Sequence, residues 1–515
     1  MRVQNNVLLI NPPLMYIKDK LAQFGSLHLT EGVPYKTFNP GLLSIGTYLD
    51  GKGYNVSICD IITVEDLETK LDEAIKTEPV MIGISCSYGQ AYLPTLEIAR
   101  YIKEKLPNAL IVVGGQHASL LGGIVLKECG EIDIVSKYEG EITSELLLEY
   151  LQNKIAIENI PGIVFRRTRI AEEKFETNDD LVEFEFKNLG SDNNLITESY
   201  SEFIENVNYP EVVDLNKMPF LKYELYPDYL TYPPYVEESR GCAWGCKYCV
   251  SGVINRRHIR IKESKRFLDE LEYCVNIFGK NRQYPILAAT FGVDVENTIK
   301  ICKGIVQRFG SLEWVSEFRV DLPWEKYIDY MYESGCRQFA VGLESADYDV
   351  LREMDKTRNC SKYMKKAEEL IKHVKQYGDA IMHLNIMFYA GENPKSVKSN
   401  LEFIMKWLDN IDSIHYSPLI AYPGTEVWNE LQLLNQKYGT TAIKGGIWDK
   451  LHVYPVNSSN YFSYEEAGHF SRIMEKIMLK EEGFIKMHET RFSQSENGEI
   501  PEEYKEKFLQ GILMS

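Results

Sequence analysis

The stretch Gly241-Cys242-Ala243-Trp244-Gly245-Cys246-Lys247-Tyr248-Cys249 decides how this chain is read. Three of its ten cysteines fall there within eight residues, spaced C-x3-C-x2-C, between an extended run (Tyr235 to Arg240) and a basic segment. Soft thiolates suit iron–sulfur clusters and zinc. A [4Fe–4S] cluster normally takes four cysteine ligands. Three thiolates in one short loop can therefore hold three corners and leave one iron open to a small chelating molecule. Zinc, or three unrelated buried cysteines, are the competing readings. Zinc usually recruits a fourth Cys or His from a second pair, and none stands in register here. The expected metal ligands are Cys242, Cys246 and Cys249.

The length of 515 residues argues for roughly two to four domains. Hydrophobic residues at 44% and charged residues at 26% are ordinary for a soluble globular chain. No apolar run is long enough to span a bilayer. The start, MRVQNNVLLINPP, lacks the features of a secretory signal and reads as a first strand. Apart from the central triplet the cysteines are scattered, which excludes a disulfide framework and points to the cytoplasm. The net charge of −18, from 57 basic and 75 acidic residues, argues against a nucleic-acid partner. One basic run, Arg256 to Lys262 with Lys265 and Arg266, reads as a solvated strand or helix start rather than an RNA contact.

Upstream, residues 1–165 alternate strand and helix. Apolar runs at Val7-Ile10, Met81-Ser85 and Ala109-Val113, with weaker ones at Asn55-Cys59 and Ile132-Val135, are each followed by a helical pattern (about 41–52, 65–77, 91–106, 118–129 and 140–152). This alternation predicts an α/β fold with a doubly wound parallel sheet. Ligands on such sheets sit at the carboxyl ends of the strands. The candidate loops are Asn11-Pro12-Pro13, Ser85 to Gly89, Gly114 to His117 and Tyr138 to Glu141. Residues 166–234, with acidic and polar runs and then Pro219, Pro227, Pro233 and Pro234, read as a partly ordered connector. From 235 to 430 strands are expected at 235–240, 285–291, 313–320, 336–344, 380–389 and 411–418, with five helices between them. That is a partial (β/α)6 barrel whose chemistry lies at the carboxyl-end loops. Residues 431–515 form a small mixed C-terminal region, with a helix at 464–483, that closes the barrel mouth.

With Tyr248 just before its last cysteine, the loop resembles the signature of radical S-adenosylmethionine (SAM) enzymes. The resemblance implies that the open iron chelates SAM, and that reduction of the sulfonium releases a 5′-deoxyadenosyl radical. The segments Phe318-Arg319-Val320-Asp321 and Gly342-Leu343-Glu344-Ser345 look like family segments that line the SAM site. Tyr248, Arg319, Glu344 and Ser345 are thus the implied SAM contacts, the arginine for the carboxylate and the glutamate for the ribose hydroxyls. Tyr422-Pro423-Gly424-Thr425 looks like the family's P-G-T turn. The usual G-G-E segment is replaced by Thr290-Phe291-Gly292-Val293-Asp294.

The amino-terminal sheet resembles the cobalamin-binding domain that precedes the barrel in one branch of that superfamily. Ser85-Cys86-Ser87 stands in for S-x-L, and Gly114-Gly115 follows after 26 residues, 88 to 113. The D-x-H-x-x-G motif is absent, Asn11 to Tyr16 occupying its place, so no histidine is expected on cobalt. His28, further along, reads as a stray loop histidine. The implied cobalamin contacts are Pro12, Ser85, Ser87, Gly89, Gly114, Gly115, Gln116, His117 and Glu139, with His117 at the corrin edge. Cobalamin is expected between the sheet and the barrel mouth.

The resemblance covers about residues 5 to 430. It implies a cobalamin-dependent radical SAM enzyme using a [4Fe–4S] cluster, SAM and cobalamin, fed by an electron donor such as flavodoxin or ferredoxin. The implied reaction is methyl transfer to an unactivated carbon of a small molecule or natural-product precursor. Cyclisation or ring rearrangement, with cobalamin as electron carrier, is the alternative. A non-enzymatic cobalamin or Fe–S protein would have no use for an open cluster corner. A tRNA methylthiotransferase would need a basic tail and an amino-terminal cysteine trio. Only Cys59, Cys86 and Cys129 are on offer, and two of them sit inside apolar runs.

Overall fold

Val7, Leu8, Leu9 and Ile10 are consecutive and all buried, as in a parallel strand covered by helices on both faces. This strand, β1 (Asn6–Asn11), pairs in parallel with β2 (Asn55–Asp60) and β3 (Met81–Ser85); β4 (Leu110–Gly114) and β5 (Ile134–Ser136) follow. The order β2-β1-β3-β4-β5 is the flavodoxin-like doubly wound order, whose topological switch point lies between β1 and β3. Helices Pro40–Gly51, Leu67–Ala74 and Tyr92–Lys105 make the crossovers between β1 and β4. The computed structural model describes residues 5–24, 36–167, 179–190 and 194–478. These form two compact units, one of residues 5–16, 36–233 and 449–452, the other of residues 17–24, 234–448 and 453–478. His28 lies outside the described residues, as does the end of the helix expected at 464–483.

The described part of 166–234 is not a loose connector. β6 (Ile163–Arg166) turns antiparallel onto β5, and β7 (Leu181–Leu189) and β8 (Leu195–Asn206) extend the sheet to eight strands. Acidic composition hides the strand period here. Phe184, Phe186 and Leu189 are buried while Glu183, Glu185 and Lys187 are exposed, after a bulge between Glu183 and Phe184. Phe184 lies where a Cβ on Gly122 or Gly123 would sit, 2.5 Å away in both cases. The helix expected at 118–129 accordingly breaks into Gln116–Leu121 and Gly123–Glu128. Further on, Tyr223, Tyr226 and Tyr232 are buried around Phe38, and the Tyr232 ring stacks on it at 4.8 Å. The aromatic rings of this segment, more than its prolines, hold it to the first unit.

In the second unit the expected first strand, 235–240, splits. β9 (Val236–Glu237) stays in the barrel sheet, and β10 (Ser239–Gly241) leaves it to pair antiparallel with β11 (Ile259–Ile261). β12 (Tyr284–Leu287), β13 (Trp314–Phe318), β14 (Cys336–Glu344), β15 (Ile381–Phe388) and β16 (Ser413–Pro418) complete a six-stranded parallel sheet in the order β16-β15-β14-β13-β12-β9. Amphipathic helices Ser264–Phe278, Val295–Phe309, Cys360–Lys375 and Pro394–Trp407 run between successive strands, joined by the shorter Ile328–Glu333. The tail adds β17 (Ile420–Ala421), β18 (Thr441–Ala442) and β19 (Tyr454–Asn457), which form an antiparallel sheet. A helix, Tyr464–Met478, packs against β16. Phe462 and Phe470 meet Phe388 of β15 at 5.2 and 6.1 Å between ring centroids.

Candidate functional site

Gly241 closes β10 with φ +89°, and a Cβ there would come within 2.1 Å of the His258 carbonyl oxygen. Only glycine lets the hairpin close so tightly behind the cysteine loop. The Lys247 amide donates to the Met354 carbonyl and its own carbonyl accepts from Val427, at 3.0 and 2.9 Å. The Lys247 ammonium pairs with Glu430 at 2.7 Å. Held this way, Cys242, Cys246 and Cys249 are all partly exposed, whereas the other seven cysteines are buried. Burial and the neighbouring Cys246 and Cys242 push the Cys249 thiol up. Among the described residues no three Cys, His, Asp or Glu side chains converge tightly enough to chelate a single ion. Three thiol donors on one partly exposed loop fit a four-iron cube, whose ligands bind separate corners.

Of the SAM candidates read from the sequence, Tyr248 belongs to this loop, Glu344 adjoins Tyr248, and Arg319 reaches Cys246. Glu344 ends β14 in the left-handed region, φ +65°, with its carboxylate buried and 2.9 Å from the ammonium of Lys356. A non-glycine residue held there marks strain that the surroundings must impose. Gly342 makes the room, since a Cβ on it would lie 2.2 Å from Glu344 Oε1 and 2.9 Å from Lys356 Nζ. The Tyr248 hydroxyl is held well above its ordinary pKa by burial and by Glu344. Arg319 is turned inward: Asp321 takes Nε and Nη2, each at 2.9 Å, and the Lys356 carbonyl takes Nη2 at 2.7 Å. Ser345 is fully buried, its hydroxyl bonded to Asn400 and to the Asp347 amide at 3.2 and 3.1 Å, and does not face an open site.

Sequence reasoning missed a polar row on the sheet. Along β15 and β16 the residues Met382, Leu384, Ile386, Ile414 and Tyr416 are buried, while His383, Asn385, His415 and Ser417 on the opposite face are only half-buried. Register sets Gly342 beside Asn385 and Asn385 beside His415. His383 Nδ1 lies 2.6 Å from Ser413 Oγ. On β13, Glu317 is on the exposed face, and enclosure by its surroundings together with Glu344 pushes its carboxyl up. The period-two alternation inside the 380–389 and 411–418 runs was the available signal.

In the first unit the strand-end loops gather at the switch point. Asn39 Nδ2 donates to Asn11 Oδ1 at the end of β1 and to Ser85 Oγ at the end of β3, both at 2.9 Å. Ser85 Oγ lies 3.2 Å from Ser87 Oγ, Asn11 Nδ2 donates to Asp60 at 2.7 Å, and the Tyr232 hydroxyl donates to the same carboxylate. Tyr88 is 59% exposed and Gln116 is exposed, whereas Pro12 and Gly89 are buried and Gly114 and Glu139 half-buried. Gly115, at φ +101°, is required by the protein itself, because a Cβ would press to 2.8 Å on the Cys86 carbonyl. His117 corrects its expected place at the corrin edge. It is buried, its Nε2 is 2.8 Å from the Leu451 carbonyl, and the Tyr92 ring meets it edge-on. Nε2–H donates there, Nδ1 is unpartnered, and burial together with His452 lowers the pKa to about 3. The imidazole is neutral and packed away from the strand-end loops.

A half-barrel of parallel strands with a three-cysteine loop soon after its first strand is the frame of a radical SAM domain. Residues 236–404 match the Radical SAM superfamily, and residues 29–148 match the B12 binding domain. An uncharacterized methyltransferase of Pyrococcus horikoshii is 24% identical over 427 residues, 80% of this chain and 83% of that one. The hopanoid C-3 methylase of Methylococcus capsulatus is 22% identical over 76% of this chain and 68% of its own. An anaerobic magnesium-protoporphyrin IX monomethyl ester cyclase of Synechocystis is 23% identical over 68% of this chain and 63% of its own. The fold is shared with the radical SAM methyltransferase TsrM of Kitasatospora setae, solved with cobalamin and a [4Fe–4S] cluster bound. The TM-score is 0.62 at 17% identity, over 86% of this chain and 81% of that one. The chain thus carries a B12 binding domain followed by a Radical SAM superfamily domain.

Proposed function

We propose that this chain is a cobalamin-dependent radical SAM methyltransferase acting on an unactivated carbon of a polar small molecule or natural-product precursor. The observation that carries the reading is the joining, in one chain, of a partly exposed cysteine triad on a half-barrel to a doubly wound sheet of the B12-binding order. Cys242, Cys246 and Cys249 would hold the cluster, and Tyr248 and Glu344 would border SAM. The loops at Pro12, Ser85 to Gly89, Gly114 to Gln116 and Glu139 would hold cobalamin. When bound, these cofactors supply hydrogen abstraction and a methyl carrier, while the protein contributes orientation and exclusion of water. The half-buried row of His383, Asn385 and His415 would meet a substrate with hydrogen-bonding groups. Among the described residues no helix is long and apolar enough to cross a membrane. A cytoplasmic setting with flavodoxin or ferredoxin as reductant fits this chemistry.

The holoenzyme, given methyl-labelled SAM and a small-molecule extract of its own cells, should consume two SAM per methylated product. One should leave as 5′-deoxyadenosine and one as S-adenosylhomocysteine. If 5′-deoxyadenosine forms in step with a product that never carries label, the ring-forming alternative replaces this reading. With His117 buried and bonded elsewhere, cobalt should carry no imidazole. Paramagnetic resonance of the cob(II)alamin form should lack three-line nitrogen splitting, and its presence would count against the assignment of the loops.

A further inference from the structure

Arg319 stands one residue beyond β13, and its side chain is almost wholly buried. A guanidinium has five N–H donors in a fixed fork. Four are engaged here: Nε and Nη2 with the two oxygens of Asp321, Nη2 with the Lys356 carbonyl, and Nη1 with the sulfur of Cys246 at 3.5 Å. The face of the guanidinium lies 4.8 Å from the Trp244 ring centroid, so it is clamped against two residues of the cysteine loop. Asp321 occupies the bidentate edge that would otherwise grip a ligand carboxylate. A buried cation with its fork spent on the protein and one N–H aimed at a cysteine sulfur acts on that sulfur.

We propose that Arg319 is a positioning residue for the iron–sulfur cluster, orienting Cys246 and raising the cluster's reduction potential, and is not the partner of the SAM carboxylate. The inference rests on the function proposed above, because it needs the cluster. Reduction adds one electron to the cluster from a low-potential one-electron donor, with no other bond made or broken. The added negative charge is stabilised by the adjacent guanidinium and by the N–H···S hydrogen bond, two of the levers that set cluster potentials. Asp321 opposes the effect by partly neutralising the cation, so the two residues should shift the potential in opposite directions.

The test is a spectroscopic redox titration of anaerobically reconstituted full-length chain with dithionite, alongside iron content and SAM binding. Arg319→Met should retain about four irons, bind SAM as tightly as the wild type, and have a lower midpoint. At the wild-type midpoint its reduced-to-oxidised ratio should fall about tenfold or more, a tenfold change being 59 mV for one electron. Asp321→Asn leaves Arg319 in place and should raise the midpoint, which keeps the test decisive if the first variant loses its cluster. An unmoved midpoint with weakened SAM binding in Arg319→Met, or an unmoved or lowered midpoint in Asp321→Asn, overturns the inference alone. A wild-type chain that takes up no iron overturns the proposed function, and this inference with it.

Discussion

Replacing Cys242, Cys246 and Cys249 together by Ala should take the anaerobically reconstituted chain from about four irons to essentially none, and abolish SAM cleavage. The expected effect is total because no other cysteine is placed to substitute. The remaining seven are buried, and burial pushes the thiols of Cys59 and Cys129 up to about 11 and those of Cys86 and Cys302 to about 12. Cys336 is pushed higher still, also by burial. The thiolate is the metal ligand, and burial of these groups favours the neutral thiol and keeps them from the loop's partly exposed setting. Iron and sulfide analysis decides the matter. Iron retained by the triple variant, or roughly eight irons in the wild type, would sink the assignment.

Lys356→Met should be strongly destabilising. It strips the partner from Glu344, whose side chain is 11% exposed and held at φ +65°. Removing one member of a buried ion pair leaves an uncompensated charge and costs about 3–5 kcal/mol. Replacing both members is often close to neutral, so Lys356→Met combined with Glu344→Gln should recover most of the loss. Thermal or denaturant unfolding of the two singles and the double gives the coupling directly. A single variant that loses less than about 1 kcal/mol, the range of an exposed pair, would show that water reaches the carboxylate. The geometry of Gly342 argues otherwise, since its missing side chain is the space in which the pair sits.

The sequence by itself determined whatever repeats locally. The spacing of Cys242, Cys246 and Cys249 names its chemistry because three cysteines within eight residues must share one loop. The apolar runs of β1, β3 and β4 and the helices after them specify doubly wound parallel pairing because strand and helix periods are read within a few residues. The six barrel strands were legible for the same reason. The hairpin Leu181–Leu189 and Leu195–Asn206 was not, because its acidic outer face dominates the composition and its buried face is defined by Gly122 and Gly123, about sixty residues upstream. Tertiary structure alone decided what the polar groups do. Arg319 finds its acceptors 73 residues back at Cys246 and 37 residues on at Lys356, and His117 bonds a carbonyl 334 residues away. A charged or hydrogen-bonding side chain acts through whichever partner the fold brings within about 3 Å, and sequence spacing does not encode that distance.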